Sequence, residues 1–162
     1  MATCHLHLGS NIGDRKVMLA SAIQKIEEII GPIVASSSFY ETEAWGNTDQ
    51  ADFINIAIEV EHYTSPTKLL EMVNRIEDDL GRVRKTHWGP RAIDIDILLM
   101  GDLVTDTKKL TIPHRYMQDR NFVLYPLAEI AGEMMHPVFN KTINELLSEC
   151  DDDSDIKKLE YF

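Results

Sequence analysis

The residues with the clearest chemical potential lie between positions 81 and 101, in the stretch GRVRKTHWGPRAIDIDILLMG. Arg82, Arg84, Lys85 and Arg91 occur close together here with no acidic residue among them, and two aspartates follow inside an isoleucine-rich run. Guanidinium groups bind phosphate oxygens in pairs, and carboxylates bind Mg²⁺, which in turn bridges phosphate oxygens. The segment therefore predicts a site for a magnesium-bound polyphosphate such as a nucleoside triphosphate.

The two aspartates, Asp94 and Asp96, lie within a predicted strand over 92–100. Residues two apart on a strand point the same way, with Cα atoms roughly 6.5–7 Å apart, so both carboxylates face one side and the isoleucines face the other. On a central strand they would be partly desolvated and would repel each other. Either divalent ions or a structural ion pair with the neighbouring arginines would relieve this cost, and the pattern alone leaves both open.

Composition restricts the class of protein. The chain has 162 residues, 44% of them hydrophobic, and a formal net charge of −11, which disfavours binding to nucleic acid or to an anionic membrane. No apolar run approaches the roughly 20 residues that span a bilayer, and the N-terminus lacks the features of a signal peptide. We expect one domain over 1–162, located in the cytoplasm.

The predicted elements alternate in a way that indicates an α+β fold. Helical periodicity and caps predict helices over 15–30, with Asp14 as the N-cap, and over 66–80. The predicted strands are 4–8, 33–42, 53–61 and 92–100. The order β-α-β-β-α-β is typical of a ferredoxin-like sheet with helices packed on it. A C-terminal helical extension should follow, with one helix near 119–131 and a last one capped by Thr142 and Glu145, and the acidic tail should be solvated.

The strand over 53–61 combines two side chains suited to a flat heterocycle. Its isoleucines share one face, while Phe53 and Asn55 share the other, so a ring that can stack and an amide that can form two hydrogen bonds project together. On the first strand, His5 and His7 also share a face. Because no third ligand is near them in sequence, we interpret them as surface or packing residues.

The chain resembles the 6-hydroxymethyl-7,8-dihydropterin pyrophosphokinases of folate biosynthesis. Collinear blocks carry the resemblance: LGSN (8–11), SSFYET (37–42), DFINIAI (52–58), RIEDDLGRVR (75–84), WGPRAIDIDIL (88–98), IPH (112–114) and DRNFVLYPLAEI (119–130). The resemblance implies a magnesium-dependent transfer of diphosphate from ATP to the pterin alcohol, two Mg²⁺ ions and a monomer. The chain contains no Gly-Lys-Ser or Gly-Lys-Thr of a Walker A motif, so any triphosphate would be held by side chains and metal.

The resemblance also implies roles for individual residues. Asp94 and Asp96 would bind the metal ions, Arg82 and Arg91 would contact the phosphates as catalytic residues, and Trp88 would lie on a closing loop. The further residues expected on the ATP side are Asn74, Glu77, Arg84, Lys85, Ile97, Leu110, Thr111, His114 and Arg120. Those expected to contact the pterin are Gly9, Thr42, Ala44, Trp45, Phe53, Asn55 and Phe122.

Two other functions remain compatible with the motif of paired aspartates. A two-metal phosphohydrolase would use water as the nucleophile and would release phosphate from ATP without a pterin. A non-catalytic nucleotide-binding module would bind ATP and form no AMP. The aromatic residues Phe53 and Phe122 favour a second, flat substrate, which neither alternative requires.

Overall fold

The computed structural model describes residues 2–11, 13–43, 52–81 and 93–160. Within these ranges the chain forms a mixed α/β fold with an antiparallel sheet and four helices. The strands are β1 (Ala2–Ser10), β2 (Ile33–Ser36), β3 (Tyr40–Thr42), β4 (Phe53–His62), β5 (Asp94–Leu99), β6 (Thr105–Asp106), β7 (Thr111–Ile112) and β8 (Ile156–Lys158). The helices are α1 (Arg15–Ile29), α2 (Pro66–Asp79), α3 (Asn121–Ala131) and α4 (Ile143–Glu149).

The main sheet has the strand order β5-β1-β4-β3-β8, and β2 also pairs with β4. Every pairing is antiparallel. Strands β6 and β7 form a separate two-stranded hairpin. In this part of the chain no helix is long and apolar enough to cross a membrane.

The two faces of the sheet differ because side chains alternate along each strand. Leu6 and Leu8 of β1 and the isoleucines of β4 and β5 pack against α1 and α2 in one core cluster. On the opposite face, Ala57 and Leu98 pack against α3 and α4 in a second cluster. The polar side chains of β1, β4 and β5 share this second face, beyond the part that the helices cover.

The helix predictions are confirmed together with their caps. The Asp14 carboxylate accepts a hydrogen bond from Val17 N at 3.1 Å, at the start of α1. Ser65 caps α2 in the same way through Lys68 N. In front of α4 both bonds of a capping box are present, because Thr142 and Glu145 each accept from the other's backbone N–H.

The continuous strand predicted over 33–42 is wrong, since β2 ends at Ser36 and β3 begins at Tyr40. Ser37 causes the break. Its hydroxyl accepts the N–H of Ala57 at 3.0 Å and donates to the carbonyl of Ser38 at 2.7 Å. A serine side chain that replaces a backbone partner interrupts the regular ladder.

The acidic tail is largely exposed, as predicted, but part of it forms a strand that the sequence interpretation did not predict. Ile156–Lys158 forms β8 and pairs with β3 at one end of the sheet. Before it, the Asp152 carboxylate accepts the Asn121 N–H at 3.0 Å, and the Asn121 amide donates to the carbonyls of Asp152 and Ser154. The tail therefore connects α3 to the end of the sheet.

The strand that carries the two aspartates is not central. Among the described strands β5 pairs with β1 alone and forms one end of the strand order. The alternation predicted for it is confirmed, since Asp94 and Asp96 are half-buried while Ile95 and Ile97 are buried.

Candidate active site

The two aspartates of β5 lie between two cavities. The larger cavity, of about 470 Å³, extends toward α2 and the β6–β7 hairpin. The smaller one, of about 200 Å³, extends across β1 and β4 toward β3. Asp94 and Asp96 line both. A group bound in one cavity would therefore meet a group bound in the other at these carboxylates.

The register of the sheet explains how distant parts of the sequence meet at the smaller cavity, which we call the aromatic pocket. Gly9 of β1 lies opposite Asp94 on one side and opposite Asn55 on the other. His7 lies opposite Asp96. Because neighbouring strands are about 4.7–4.9 Å apart, Asn55 and the aspartates are separated by roughly 10 Å across β1. Gly9 and His7 form the floor between them.

The larger cavity, which we call the polar pocket, brings together residues that the sequence places on the ATP side. Besides the aspartates, the predicted residues on its wall are Asn74, Glu77, Ile97, Leu110, Thr111 and His114. Lys108, Lys109 and Arg115 also line it. Cations thus stand opposite carboxylates around a volume typical of small-molecule sites.

Glu77 has a second task besides lining the polar pocket. It is a buried residue of α2, and its Oε2 accepts the backbone N–H of Ile95 at 2.9 Å. Ile95 lies between the two aspartates, so this bond attaches α2 to β5 at the segment that carries both carboxylates. A hydrogen-bond acceptor is needed here, because an unpaired buried N–H costs free energy.

The aromatic pocket contains Gly9, Thr42, Phe53, Asn55 and Phe122, the described residues expected to contact a pterin. Two hydrogen bonds that the Asn55 side chain donates fix the orientation of its amide. Its Nδ2 donates to Thr42 Oγ1 at 2.9 Å and to the carbonyl of Tyr40 at 3.3 Å. Since both partners accept, the nitrogen must face them, and the Oδ1 atom lies near Gly9 at the floor.

Arg120 was expected on the ATP side, yet it lines the aromatic pocket. Its guanidinium carbon lies 5.4 Å from the centre of the Tyr116 ring and 5.7 Å from that of Phe122. Tyr116 in turn lines the polar pocket. Burial lowers the pKa of His114, Asp96 opposes that shift, and Arg120 adds to it. Arg120 therefore supplies positive charge at the boundary of the two pockets.

Seven predicted site residues lie outside the described residues, and the structure says nothing of them: Arg82, Arg84, Lys85, Trp88, Arg91, Ala44 and Trp45. The sequence interpretation, for its part, missed His7, Lys108 and Tyr116, which line the pockets. His7 could have been found, because it alternates with Gly9 on the first strand and so shares a face with a predicted substrate contact.

The residues present fit a magnesium ion that is shared with a substrate. In the described part of the chain no three acidic, histidine or cysteine side chains are grouped closely enough to hold a metal by themselves. Mg²⁺ is usually bound by one or two carboxylates together with waters and substrate phosphates. Asp94 and Asp96, half-buried at the wall of the polar pocket, supply such a pair.

Comparison with known proteins then gives the family. The model of the 7,8-dihydro-6-hydroxymethylpterin-pyrophosphokinase (HPPK) family matches residues 5–132. The chain belongs to this family. It is 42% identical to a 2-amino-4-hydroxy-6-hydroxymethyldihydropteridine pyrophosphokinase of Aquifex aeolicus, over 92% of each chain. It is 44% identical to the enzyme of the same name from Bacillus subtilis, over 80% of this chain and 78% of that one.

A solved structure supports the fold. HPPK-DHPS of Plasmodium falciparum, a triple mutant with STZ-DHP, matches 91% of this chain with a TM-score of 0.75 at 18% sequence identity. This chain spans 43% of that longer protein. At this identity the likeness concerns the fold alone, while the relatives above show the family.

Proposed function

We propose that this chain transfers diphosphate from ATP to 6-hydroxymethyl-7,8-dihydropterin, which yields the pterin diphosphate and AMP in folate biosynthesis. The observation that carries the proposal is the shared wall of the two pockets. Asp94 and Asp96 line both a polar pocket rich in cations and an aromatic pocket with an oriented amide. A phosphate donor and a flat alcohol bound in these pockets would have their reacting groups side by side.

Each pocket suits its proposed substrate by charge and shape. The phosphates would enter between the aspartates and the basic side chains Lys108, Lys109 and Arg115. In the aromatic pocket, Phe53 and Phe122 would contact the faces of the pterin ring, and Asn55 Oδ1 would accept from its amide edge. Since one chain lines both pockets, the reaction as proposed needs no second copy.

The two aspartates would hold Mg²⁺ against the phosphates. Bound there, the metal would neutralise phosphate charge and lower the pKa of the pterin alcohol. The hydroxymethyl oxygen would lose its proton to solvent and form a bond to the β-phosphorus, while the bond from that phosphorus to the oxygen bridging to the α-phosphate breaks, and AMP leaves with that oxygen. Such a transfer depends on positioning and charge neutralisation more than on covalent chemistry by the protein.

The remaining assignments rest on the sequence. Arg82 and Arg91 would stabilise charge on the transferring group, with Arg84 and Lys85 as further phosphate contacts, and Ala44, Trp45 and Trp88 would border the substrates. We also propose that the sheet is ferredoxin-like. The strand order β5-β1-β4, with β2 and β3 both paired with β4, supports this class. Strands β5, β1 and β4 are the fourth, first and third strands of a β-α-β-β-α-β unit, and they are neighbours in this order in a ferredoxin-like sheet.

The test is incubation with MgATP and the pterin, with AMP as the readout. AMP should form only when both substrates are present. Phosphate release from MgATP alone would support the hydrolase instead, and binding without AMP would support a non-catalytic module.

Asp96→Asn should reduce the rate by at least about a thousandfold, since it removes a metal-binding charge at the shared wall. Asp102→Asn is the matched control, because Asp102 is exposed just beyond β5 and lines neither pocket. Melting temperatures of both variants should stay close to that of the original protein. A normal rate for Asp96→Asn would contradict the metal assignment.

A further inference from the structure

His7 is a buried polar side chain that lacks a hydrogen-bond partner at the floor of the aromatic pocket. It is 3% exposed, and neither Nδ1 nor Nε2 makes a hydrogen bond with the described residues. The Asn55 amide is near enough to affect its pKa but does not meet normal hydrogen-bond geometry with it. Because buried polar atoms almost always find partners, two unpaired nitrogens on a side chain that lines a cavity indicate a partner that is bound there.

The rest of the strand shows that the pocket, and not burial on β1 in general, distinguishes His7. His5 lies on the same face and is also 3% exposed. Its Nδ1 also lacks a hydrogen-bond partner among the described residues, but its Nε2 is 3.8 Å from the Glu59 carboxylate, and it lines neither pocket. His7 instead contacts the Phe122 ring edge-on, with ring centres 5.7 Å apart at 63°.

The imidazole is suited to bind a neutral heterocycle. A neutral imidazole carries one N–H donor and one acceptor. His7 lies opposite Asp96 and, on the same face of β1, two residues from Gly9, which lies between Asn55 and Asp94. A flat ring that extends from Asn55 toward the aspartates would therefore pass next to its imidazole.

We propose that His7 is a further substrate-positioning residue, whose imidazole N–H donates to the ring nitrogen next to the hydroxymethyl-bearing carbon of the pterin. This rests on the proposed function. In a 7,8-dihydropterin that nitrogen is an imine, which can only accept. With Asn55 holding the amide edge of the ring, a bond at this nitrogen would direct the hydroxymethyl group toward the two aspartates.

The test compares three variants by titration calorimetry with pterin, in the presence of a non-hydrolysable ATP analogue. His7→Phe keeps a ring against Phe122 but removes the donor, and it should weaken pterin binding roughly 5- to 10-fold, the usual value of one neutral hydrogen bond. His7→Gln restores a donor and should stay within about threefold of the original protein. His5→Phe, the matched control, should leave pterin binding unchanged, and all three should bind the nucleotide normally.

A second measurement changes the ligand. A 5-deaza pterin, with carbon in place of the imine nitrogen, should bind the original protein as weakly as the pterin binds His7→Phe. His7→Phe should bind both compounds equally. If His7 only supports Phe122, the original protein will not distinguish the two compounds, and the inference is overturned.

An Asn55→Ala variant separates this inference from the pocket assignment. If Asn55→Ala weakens pterin binding while His7→Phe does not, His7 has no role in binding and the pocket assignment stands. If neither change affects pterin binding, the pterin does not occupy the aromatic pocket, and both proposals fail.

Discussion

Adding a single methyl group at Gly9 should separate binding of the two substrates. A Cβ built on Gly9 would lie 3.3 Å from Asn55 Oδ1, 3.5 Å from His7 Cε1 and 3.5 Å from Phe53 Cδ1. All three neighbours line the aromatic pocket. The methyl group of Gly9→Ala would therefore stand at the floor, where the edge of a bound ring must lie.

The fold should tolerate this substitution. Gly9 has extended backbone angles within β1 rather than the left-handed conformation that favours glycine, and alanine is better suited to a strand interior by roughly 0.5–1 kcal/mol. The contact with Asn55 requires a shift of a few tenths of an ångström, which its bonds to Thr42 and Tyr40 resist. These effects oppose each other, so the free energy of unfolding should change by less than about 1 kcal/mol.

Pterin binding should change far more than the free energy of unfolding. Overpacking a fitted site typically costs about 1–3 kcal/mol, which corresponds to a pterin Kd raised roughly 5- to 150-fold. MgATP should bind within about twofold of normal, because Gly9 does not line the polar pocket. Calorimetric titration with each ligand measures both constants, and Ala2→Val, which adds methyl groups to the exposed start of β1, serves as the control. An unchanged pterin Kd, or equal weakening of both ligands, would refute the placement of the pterin over Gly9.

Two further predictions concern stability. Glu77→Ala leaves the buried N–H of Ile95 without its acceptor and should lower the free energy of unfolding by about 1–3 kcal/mol. Glu77→Gln keeps an acceptor and should lower it by less than half as much. Urea unfolding measures both free energies, and equal losses would count against the hydrogen bond. At Glu129, burial raises the pKa, but hydrogen bonds from Ser38, Tyr40 and Lys158 outweigh it and lower the pKa below its usual range. Its stabilisation is therefore present at neutral pH and is lost as the pH falls through the lowered pKa. Glu129→Gln should be less stable than the original protein at pH 7, and the difference should shrink as acid protonates the carboxylate; a difference that stays constant in acid would contradict the linkage.

The sequence predicted the helices well because their information is local. A cap such as Asp14 or Thr142 acts within three residues of its partner, so spacing alone identifies it. The alternation of β4 and β5 was equally accessible, and with it the faces on which Phe53, Asn55 and the aspartates lie. These local facts were sufficient to predict which side chains share a surface.

What the sequence could not supply was register and pairing across distance. That Gly9 stands between Asp94 and Asn55 depends on pairings among three separate strands. The acidic residues before Ile156 favoured a solvated tail, whereas its pairing with β3 depends on an edge that the chain offers more than a hundred residues earlier. For the same reason we interpreted His7 as a surface or packing residue. That its two nitrogens lack hydrogen-bond partners becomes apparent only when its neighbours in space are known.

The edge position of β5 also changes the argument about its aspartates. On a central strand, strands on both sides would desolvate the two carboxylates, and a cation would be needed for the fold itself. On an edge strand Asp94 and Asp96 remain half-buried and face cavities on two sides, so water can screen their repulsion in the free protein. A metal ion would then be required for binding phosphate and not for folding. It follows that chelation of magnesium should abolish AMP formation while the melting temperature stays unchanged, and a fall in melting temperature on chelation would instead place a structural metal at this strand.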